Sequence, residues 1–297
     1  MQIIERVAKP EYWYQPRKLF RRLFGRTHGA GRASVVTAWG LPMEVSLRDG
    51  IGAGVAQFGV YDLAVSEVLW RLASGVCLDI GANIGCMTAA MVCGGEGDAE
   101  VLAFEPHPVI FQELQANVAR WPAPVASRVT LHECAVSSEV GRVTLQIPDD
   151  FDSHRGESSL ERLPKTGSTS VEVATTTIDE LFRSRGIGTV NVAKLDVEGH
   201  ELAVLQGGHS TLSGHRILHC VFEEHRQYPT PVTERFIAAG YKVFALGKGF
   251  RGPELRDPHR TSPTLKWEAA SFIASCDPDA LSSALAPRGW QFLRAKP

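Results

Sequence analysis

The feature of this sequence that most constrains its fold is a repeated alternation of short apolar runs with stretches of helical spacing. Continuous apolar strands that alternate with helices are typical of a parallel sheet covered on both faces. Seven main strands are predicted, at residues 76–80, 101–104, 129–136, 190–196, 217–222, 242–246 and 269–274. The pattern therefore predicts an α/β fold with a doubly wound, mostly parallel sheet and an antiparallel edge strand.

Two segments fall outside this alternation. We expect residues 1–56 to form an extension, with a basic amphipathic helix at 17–26 and a β-hairpin of strands 35–39 and 43–47. Residues 57–297 would form the main domain, in which strands 143–147 and 171–173 stand apart and 149–169 is a loop. A basic, glycine- and proline-broken stretch at 248–260 is interpreted as a solvated loop, or as a lid near the sheet edge.

Composition limits the classes of partner. The 297 residues are 44% hydrophobic and 22% charged with a formal net charge of −2, which does not favour nucleic acid or an anionic membrane. No apolar run approaches the roughly 20 residues that span a bilayer. The six cysteines show no metal-site spacing, which favours a reducing, cytoplasmic setting. The extension is open to two interpretations, a cover for the site or a homodimer interface.

A glycine-containing turn follows the first main strand, at residues 79–85 with the sequence Asp-Ile-Gly-Ala-Asn-Ile-Gly. Gly81 and Gly85 allow a sharp turn and a close approach to a ligand. A dinucleotide site would have glycine where this chain has Asn83. Asp79 suits a cationic group better than a phosphate. The turn thus favours a ligand with a charged amino-acid end over a pyrophosphate.

An acid ends the second main strand. Glu105 stands where a carboxylate would accept hydrogen bonds from both hydroxyls of a ribose, and Pro106 ends the strand there. A capping role for this acid is the alternative. Ribose binding is the better interpretation because an apolar strand precedes the acid, but it does not separate nicotinamide from methionine cofactors.

Two further strand ends carry polar side chains. Asp196 ends the fourth strand and should lie near Asp79, where the strand order of such a sheet reverses. Glu223 and His225 end the fifth strand on one side, with Glu224 on the other. We predict that His225 or Asp196 accepts a proton from a substrate hydroxyl, with Glu223 assisting. A variant with a divalent cation on these three residues is less favoured than a metal-free site, and activity that survives a chelator would exclude it.

Five motifs of this sequence together resemble the FkbM-type methyltransferases. The motifs are 79–85, Phe-Glu-Pro-His-Pro at 104–108, Thr-Ile-Asp-Glu-Leu at 177–181, Lys-Leu-Asp-Val-Glu-Gly-His-Glu at 194–201 and Val-Leu-Gln-Gly-Gly at 204–208. The resemblance implies a Rossmann-like class I methyltransferase fold, S-adenosylmethionine as cofactor and O-methylation of a hydroxyl on a sugar or secondary metabolite. It implies cofactor contacts for Asp79, Gly81, Asn83 and Glu105, with the backbone of Cys134 and Ala135 beside the adenine. We also predict cofactor contacts for Gly85, Pro106 and Asp196.

The resemblance also implies a substrate-side role for the loop at 158–160. This sequence departs from the family at Cys86, where an aromatic residue is common. Two rivals remain. A nicotinamide-dependent oxidoreductase would share the sheet, but Asn83 and the lack of a Tyr-x-x-x-Lys pair argue against it. A non-catalytic cofactor-binding module would have no reason to keep acids at three strand ends.

Overall fold

The computed structural model describes residues 31–95, 97–147, 169–224, 226–260 and 270–293. The basic stretch at 17–26, the loop segment 158–160 and His225 lie outside these ranges. The described strands are β1 (Arg32–Val36), β2 (Pro42–Ser46), β3 (Val76–Ile80), β4 (Glu100–Phe104), β5 (Val129–His132), β6 (Ala135–Val136), β7 (Gly141–Ile147), β8 (Thr169–Thr176), β9 (Val190–Leu195), β10 (Ile217–Glu224), β11 (Lys242–Gly249), β12 (Gly252–Arg256) and β13 (Ala270–Ser275).

The described helices are α1 (Gly50–Phe58), α2 (Leu63–Leu72), α3 (Cys86–Val92), α4 (Pro108–Val118), α5 (Ala123–Ala126), α6 (Ile178–Arg185), α7 (Glu201–Gln206), α8 (His209–Ser213), α9 (Pro231–Ala238) and α10 (Pro278–Leu285). Several of their first residues follow a side chain that caps the helix. Asp62, for example, accepts hydrogen bonds from the N–H groups of Ala64 and Val65 at the start of α2. Such caps satisfy backbone donors that a helix leaves unpaired.

The main sheet has the strand order β12-β11-β13-β10-β9-β3-β4-β5. Strands β5, β4, β3, β9 and β10 pair in parallel, whereas β13 lies antiparallel between β10 and β11 and β12 is an antiparallel edge. The chain leaves β3 toward β4 and β5 and returns on the other side at β9. The predicted doubly wound sheet is confirmed, and the reversal of strand order lies between β3 and β9.

Helices cover both faces of this sheet. On one face the apolar residues of α2, α3, α4 and α10 pack on strand residues such as Cys77, Val192 and Val221. On the other face, α6, α7, α8 and α9 pack on the alternate strand residues, including Leu78 and Phe222. Because successive strand residues point to opposite faces, this pattern also fixes which polar residues share a face at the strand ends.

The N-terminal segment contains a hairpin, in which β1 and β2 are antiparallel and joined by a turn at Gly40, with the first strand at 32–36 where 35–39 was predicted. Met43 and Val45 of β2 and Val55 of α1 are buried against Ile84 and against residues at the starts of α3 and α4. The hairpin and α1 therefore pack directly beside the turn at 79–85.

A buried ion pair fixes the C-terminal segment to α2. Arg71 Nε lies 2.7 Å from Glu67 Oε1, and both side chains are almost fully buried. The Arg71 guanidinium also donates to carbonyl oxygens of the segment after α10, among them Pro287 at 2.8 Å and Gly289 at 2.6 Å. The Glu67 carboxylate accepts from the backbone N–H of Gln291 at 2.6 Å. The C-terminal segment thus depends on one glutamate and one arginine.

Two predicted elements differ in the structure. The single strand expected at 129–136 divides into β5, which pairs with β4, and β6, which pairs with β8 in a separate three-stranded sheet of order β6-β8-β7. Residues 248–260 are not a loop throughout, because β11 continues to Gly249 and turns back into β12. The sheet therefore has eight strands where seven were predicted. None of the helices in the described part of the chain has the length and apolar character needed to cross a membrane.

Candidate functional site

Polar residues converge at the carboxyl ends of the parallel strands, on the face that α2, α3 and α4 cover. Asp79 in β3, Lys194 in β9 and Glu223 in β10 alternate with residues of the opposite core, so their side chains point to this face. Asp196 follows Lys194 by two residues, and Glu105 follows Ala103 of β4 by two. Sheets of this type bind ligands at this edge, where the strand order reverses.

The turn at 79–85 has the backbone conformation that its glycines allow. Gly81 and Gly85 have φ values of +82° and +95°, and Asn83 between them has φ of +49°. A Cβ on Gly81 would lie 1.8 Å from the carbonyl oxygen of Asp196. The space beside Gly81 is therefore filled by the backbone after β9, and the glycine is needed for the turn to pack on the sheet.

Asp79 lies beneath this turn and is fully buried. Its Oδ2 accepts a hydrogen bond of 2.5 Å from the hydroxyl of Thr88 in α3, whereas its Oδ1 is buried and has no hydrogen-bond partner among the described residues. Burial raises the pKa of this carboxyl, and the charge of Lys194 and the bond from Thr88 act in the opposite direction. A buried acceptor without a partner is costly and is typical of a site that awaits a donor.

Glu105 connects the turn to the loop after β4. Its Oε2 accepts from the backbone N–H of Asn83 at 2.9 Å, and its Oε1 accepts from that of His107 at 2.9 Å. Burial raises the pKa of Glu105 to about 7, although both backbone bonds and the charge of Lys194 lower it. Because an ionised carboxylate can accept about four hydrogen bonds, each oxygen keeps capacity for a further donor.

Lys194 supplies a cation to this site and was not among the predicted site residues, although the alternation of β9 places it on the same side as Asp196. Its Nζ donates to the carbonyl oxygen of Gly81 at 2.8 Å and lies 3.0 Å from Asp196 Oδ2. Burial alone would lower its pKa, but the carboxylates of Asp196 and Asp79 raise it above its usual value. Lys194 thus joins the turn to the end of β9. The charges of Asp79 and Asp196 both act on the Lys194 ammonium, so these two carboxylates lie near each other, as expected.

Glu223 lies among several carboxylates. Burial raises its pKa to about 9, and the charges of Asp196, Asp62 and Glu198 act in the same direction. At neutral pH the Glu223 carboxyl is therefore protonated and can donate a hydrogen bond. Its neighbour Glu224 points to the other face, where it binds Arg226 at 3.1 Å, as the alternation of strand residues predicts.

Tyr61 and Asp62, which precede α2, belong to the same region and were missed. The charges of Glu223, Asp62 and Asp196 act on the Tyr61 hydroxyl, and together with burial, the largest cause, they raise its pKa above the ordinary range. Asp62 raises the pKa of Glu223 in turn. These residues precede the first main strand and carry no local motif, so only the packing of α2 brings them to the edge.

Left-handed backbone conformations cluster at this edge. Among the described residues other than glycine, four have positive φ: Asp62, Asn83, Glu198 and His215. The first three lie before α2, in the turn and after β9, all at the carboxyl edge of the sheet, whereas His215 precedes β10 at the opposite edge. Strained backbone persists where surrounding contacts fix it, and it is found preferentially at functional sites.

The remaining motif residues serve the protein's own backbone. Asp179 accepts from the N–H groups of Ser210 and Thr211 at 3.0 and 2.8 Å, and Thr177 caps α6. A Cβ on Gly207 would lie 2.0 Å from the carbonyl oxygen of Ser137. Glu201 accepts from the N–H groups of Val197 and Gly199, which holds the turn after β9. These motifs therefore stabilise the fold on the face opposite the site or around it.

Three predicted site residues need separate mention. Pro106 is partly exposed beside Glu105, and Ala135 is buried in β6, just after the chain leaves the main sheet. His225 lies outside the described residues, so its role stays a prediction. Within the described ranges, no group of three or more His, Cys, Asp and Glu side chains is arranged to hold a metal ion.

The segment that contains these residues matches a known protein family. The family model described as "Methyltransferase FkbM domain" matches residues 79–243, from Asp79 to the start of β11. This range is more than half of the chain and contains Glu105, Lys194, Asp196 and Glu223.

Individual relatives match over shorter shares of their length. Hexuronic acid methyltransferase AglP of Haloferax volcanii is 34% identical over 141 residues, covering 48% of this chain and 49% of that protein. The 31-O-demethyl-FK506 methyltransferase FkbM of Streptomyces tacrolimicus is 31% identical over 188 residues, covering 53% and 70%. The 2-O-methyltransferase NoeI of Sinorhizobium fredii is 27% identical over 192 residues, covering 60% and 76%. The chain thus spans about half the length of AglP.

The match of the family model agrees with the doubly wound sheet and with the turn at its point of reversal. This chain belongs to the FkbM methyltransferase family and has the Rossmann-like fold of a class I methyltransferase.

Proposed function

We propose that this chain uses S-adenosylmethionine to methylate a hydroxyl of a sugar or secondary metabolite. The names of its relatives support oxygen as the acceptor atom and small molecules as substrates. The observation that carries the cofactor assignment is the bond between Glu105 and Asn83. Through it, the acid proposed to bind the ribose and the turn proposed to bind the amino-acid end form one unit.

The residues present fit such a cofactor at two points. Glu105 is bonded once through each oxygen, which leaves acceptor capacity for the two hydroxyls of a ribose. Asp79 Oδ1 is a buried acceptor without a partner, and the ammonium group of an amino acid is a suitable donor for it. Asp79 is fully covered by the turn, so this contact requires the turn or the Thr88 side chain to shift when the cofactor enters.

The bound cofactor supplies a methyl group made electrophilic by a sulfonium, and the chain's own residues prepare the acceptor. Asp196 is held through Oδ2 by Lys194, and its other oxygen remains available to accept a proton. His225, one residue past the end of β10, is the alternative base. General-base assistance of this kind contributes roughly 100- to 10,000-fold to rate.

Glu223 has a different role from the one expected for a carboxylate. Because its pKa is raised to about 9, its neutral form is favoured at pH 7, and this form is able to donate a hydrogen bond. We assign it to orient the acceptor oxygen or the carboxylate of Asp196. The edge also carries Asp62 and Glu198, so it disfavours an anionic group at the reacting position and favours a neutral hydroxyl.

Calorimetry with S-adenosylmethionine and with NADH tests the cofactor. We expect the wild-type protein to bind the first and not the second, and Glu105→Gln to weaken binding about tenfold through loss of charged acceptors. Glu100→Gln, at the exposed start of the same strand, is the matched control and should bind as the wild type does. Tight binding of NADH without S-adenosylmethionine binding would overturn the proposal.

A screen of hydroxylated acceptors by mass spectrometry tests the reaction. The expected result is S-adenosylhomocysteine together with a product carrying one added methyl group on oxygen. If the protein binds the cofactor but releases no S-adenosylhomocysteine with any sugar or secondary metabolite tested, it is a binding module and the enzymatic proposal is wrong.

A further inference from the structure

One buried amide joins the N-terminal hairpin to the turn at 79–85. Asn117, near the end of α4, is 1% exposed. Its Oδ1 accepts from the backbone N–H of Glu44 in β2 at 2.8 Å, and its Nδ2 donates to the carbonyl oxygens of Glu44 at 3.2 Å and Ile84 at 3.0 Å. One acceptor and two donors use the main hydrogen-bonding capacity of an amide side chain.

From this arrangement we propose that Asn117 is a positioning residue, which makes the N-terminal hairpin part of the cofactor site by fixing the turn at Ile84. The inference rests on the proposed use of S-adenosylmethionine, because it assigns a function to the contact between the hairpin and the turn. Asn117 itself does not touch the cofactor in this account, and it acts through the backbone of the turn.

The turn needs such a contact because its backbone is strained and its two halves are held differently. The first half is bound to the sheet, since the N–H groups of Gly81 and Ala82 donate to the carbonyl oxygen of Phe104 and Lys194 binds the Gly81 carbonyl oxygen. The second half, after Asn83, leaves the sheet and enters α3. There the Ile84 carbonyl oxygen is held from the side by Asn117.

Apolar packing supports the same contact. Ile84 and Cys86 are buried against Met43 and Val45 of β2 and Val55 of α1. The hairpin thus covers Cys86, the first residue of α3. Packing of this kind is not directional, whereas the three hydrogen bonds of Asn117 fix the register between β2 and the turn.

The resulting test measures cofactor binding and local exchange in three proteins. Asn117→Ala removes all three bonds and leaves the Ile84 carbonyl oxygen buried without its donor. We expect the Kd for S-adenosylmethionine to rise about tenfold, with kcat at saturating cofactor changed less than twofold. Amide hydrogen exchange without ligand should become faster both in β2 and in residues 83–88.

Arg32→Gln is the matched control. Arg32 Nη1 binds Glu113 Oε1 at 2.7 Å, so it also ties the hairpin to α4, but it makes no contact with the turn. We expect faster exchange in β1 and an unchanged Kd. If Asn117→Ala does not fold, Asn117→Ser replaces it in the test. Its shorter hydroxyl side chain should give changes in Kd and exchange of the same direction but smaller size.

Two results would overturn the inference. One is an unchanged Kd in folded Asn117→Ala protein, and the other is faster exchange in β2 without any change in residues 83–88. If the wild-type protein itself does not bind S-adenosylmethionine, the proposed function fails, whereas the exchange experiment still decides whether Asn117 couples the hairpin to the turn.

Discussion

Two ion pairs on the same face of the sheet, one buried and one partly exposed at Asp196, differ in how their charges are satisfied. Arg71 and Glu67 form a closed set, in which the guanidinium binds one carboxylate and several carbonyl oxygens and the carboxylate accepts backbone N–H groups in addition. Lys194 and Asp196 form an open set. The charges of Asp196, Asp79 and Glu223 all act on the Lys194 ammonium, and the charge of Asp196 adds to burial in raising the pKa of Asp79 and of Glu223.

The difference separates a structural contact from a functional one. A buried charge whose partners are all present needs nothing further and stabilises one conformation of the chain. An excess of carboxyl groups over cations lowers stability, and proteins retain it where a ligand or a proton uses the spare capacity. We therefore expect changes at Arg71 to alter folding and changes around Lys194 to alter binding and catalysis.

The largest effect should come from Asp196→Asn, which keeps the size of the side chain and removes the base. We expect turnover to fall about 1,000-fold, within the range of general-base catalysis, while the Kd for S-adenosylmethionine changes less than threefold. Steady-state kinetics and calorimetry on the same preparation measure both. Asp279→Asn, on the exposed first turn of α10, is the control and should leave both values unchanged.

His225→Ala belongs to the same experiment, because the two residues are the alternative bases. If Asp196→Asn retains wild-type turnover and His225→Ala loses it, the base is His225. Wild-type turnover in both variants would show that the acceptor hydroxyl is deprotonated without either residue, and the proposed chemistry at the strand ends would be wrong.

The closed pair should give the next largest effect. Arg71→Met leaves Glu67 buried without its cation, and we expect the free energy of unfolding to fall by about 3 kcal/mol. Urea unfolding monitored by circular dichroism measures this loss, and the cofactor Kd of the folded protein should stay within about threefold. Arg183→Gln removes an arginine from an exposed pair with Glu180 and should leave the free energy of unfolding close to that of the wild type. Equal stability of the two variants would contradict the comparison.

The part of the site that could be predicted from the sequence consists of the polar residues in the strands and at their ends. The alternation of β10 separates Glu223 from Glu224, and the reversal of strand order places Asp79 near Asp196, as the structure shows. Tyr61 and Asp62 could not be found in this way. They reach the edge through the packing of α2, and a contact between distant segments leaves no local pattern.

The errors at 129–136 and 248–260 have a similar origin. The run at 129–136 reads as one apolar strand, but its last residues pair with β8, a partner some forty residues later in the chain. In 248–260, Gly249 and Gly252 suggest a loop from the sequence. In the structure they lie on either side of a tight turn that connects β11 to β12. Strand pairing decides both cases, and periodicity within one segment cannot report it.

The smallest effect should come from the pH dependence of stability at Glu223. Its pKa is about 9 in the folded protein and near 4.5 when unfolded, so ionisation opposes folding. The stabilisation of the folded state by protonated Glu223 is complete below about pH 4.5, and it is lost as the pH rises through 9. Glu223→Gln stays neutral, and we expect it to gain about 1 kcal/mol over the wild type at pH 5, with the gain increasing as the pH rises toward 9.

Glu224→Gln, one residue along β10, sharpens this test because the sign reverses. Burial alone would raise the pKa of Glu224, but hydrogen bonds from Arg226 outweigh it and lower that pKa. Ionised Glu224 therefore stabilises the fold above about pH 4.5, and its replacement should lower stability at neutral pH. Urea unfolding at pH 5, 7 and 9 gives the free energy of unfolding of each variant. Glu105 also titrates in this range, but it is present in every variant, so its effect cancels in the comparison. If both variants lose stability equally at every pH, Glu223 is not held neutral in the folded protein. The excess of carboxyl groups around Lys194 would then not distinguish the open pair from the closed one.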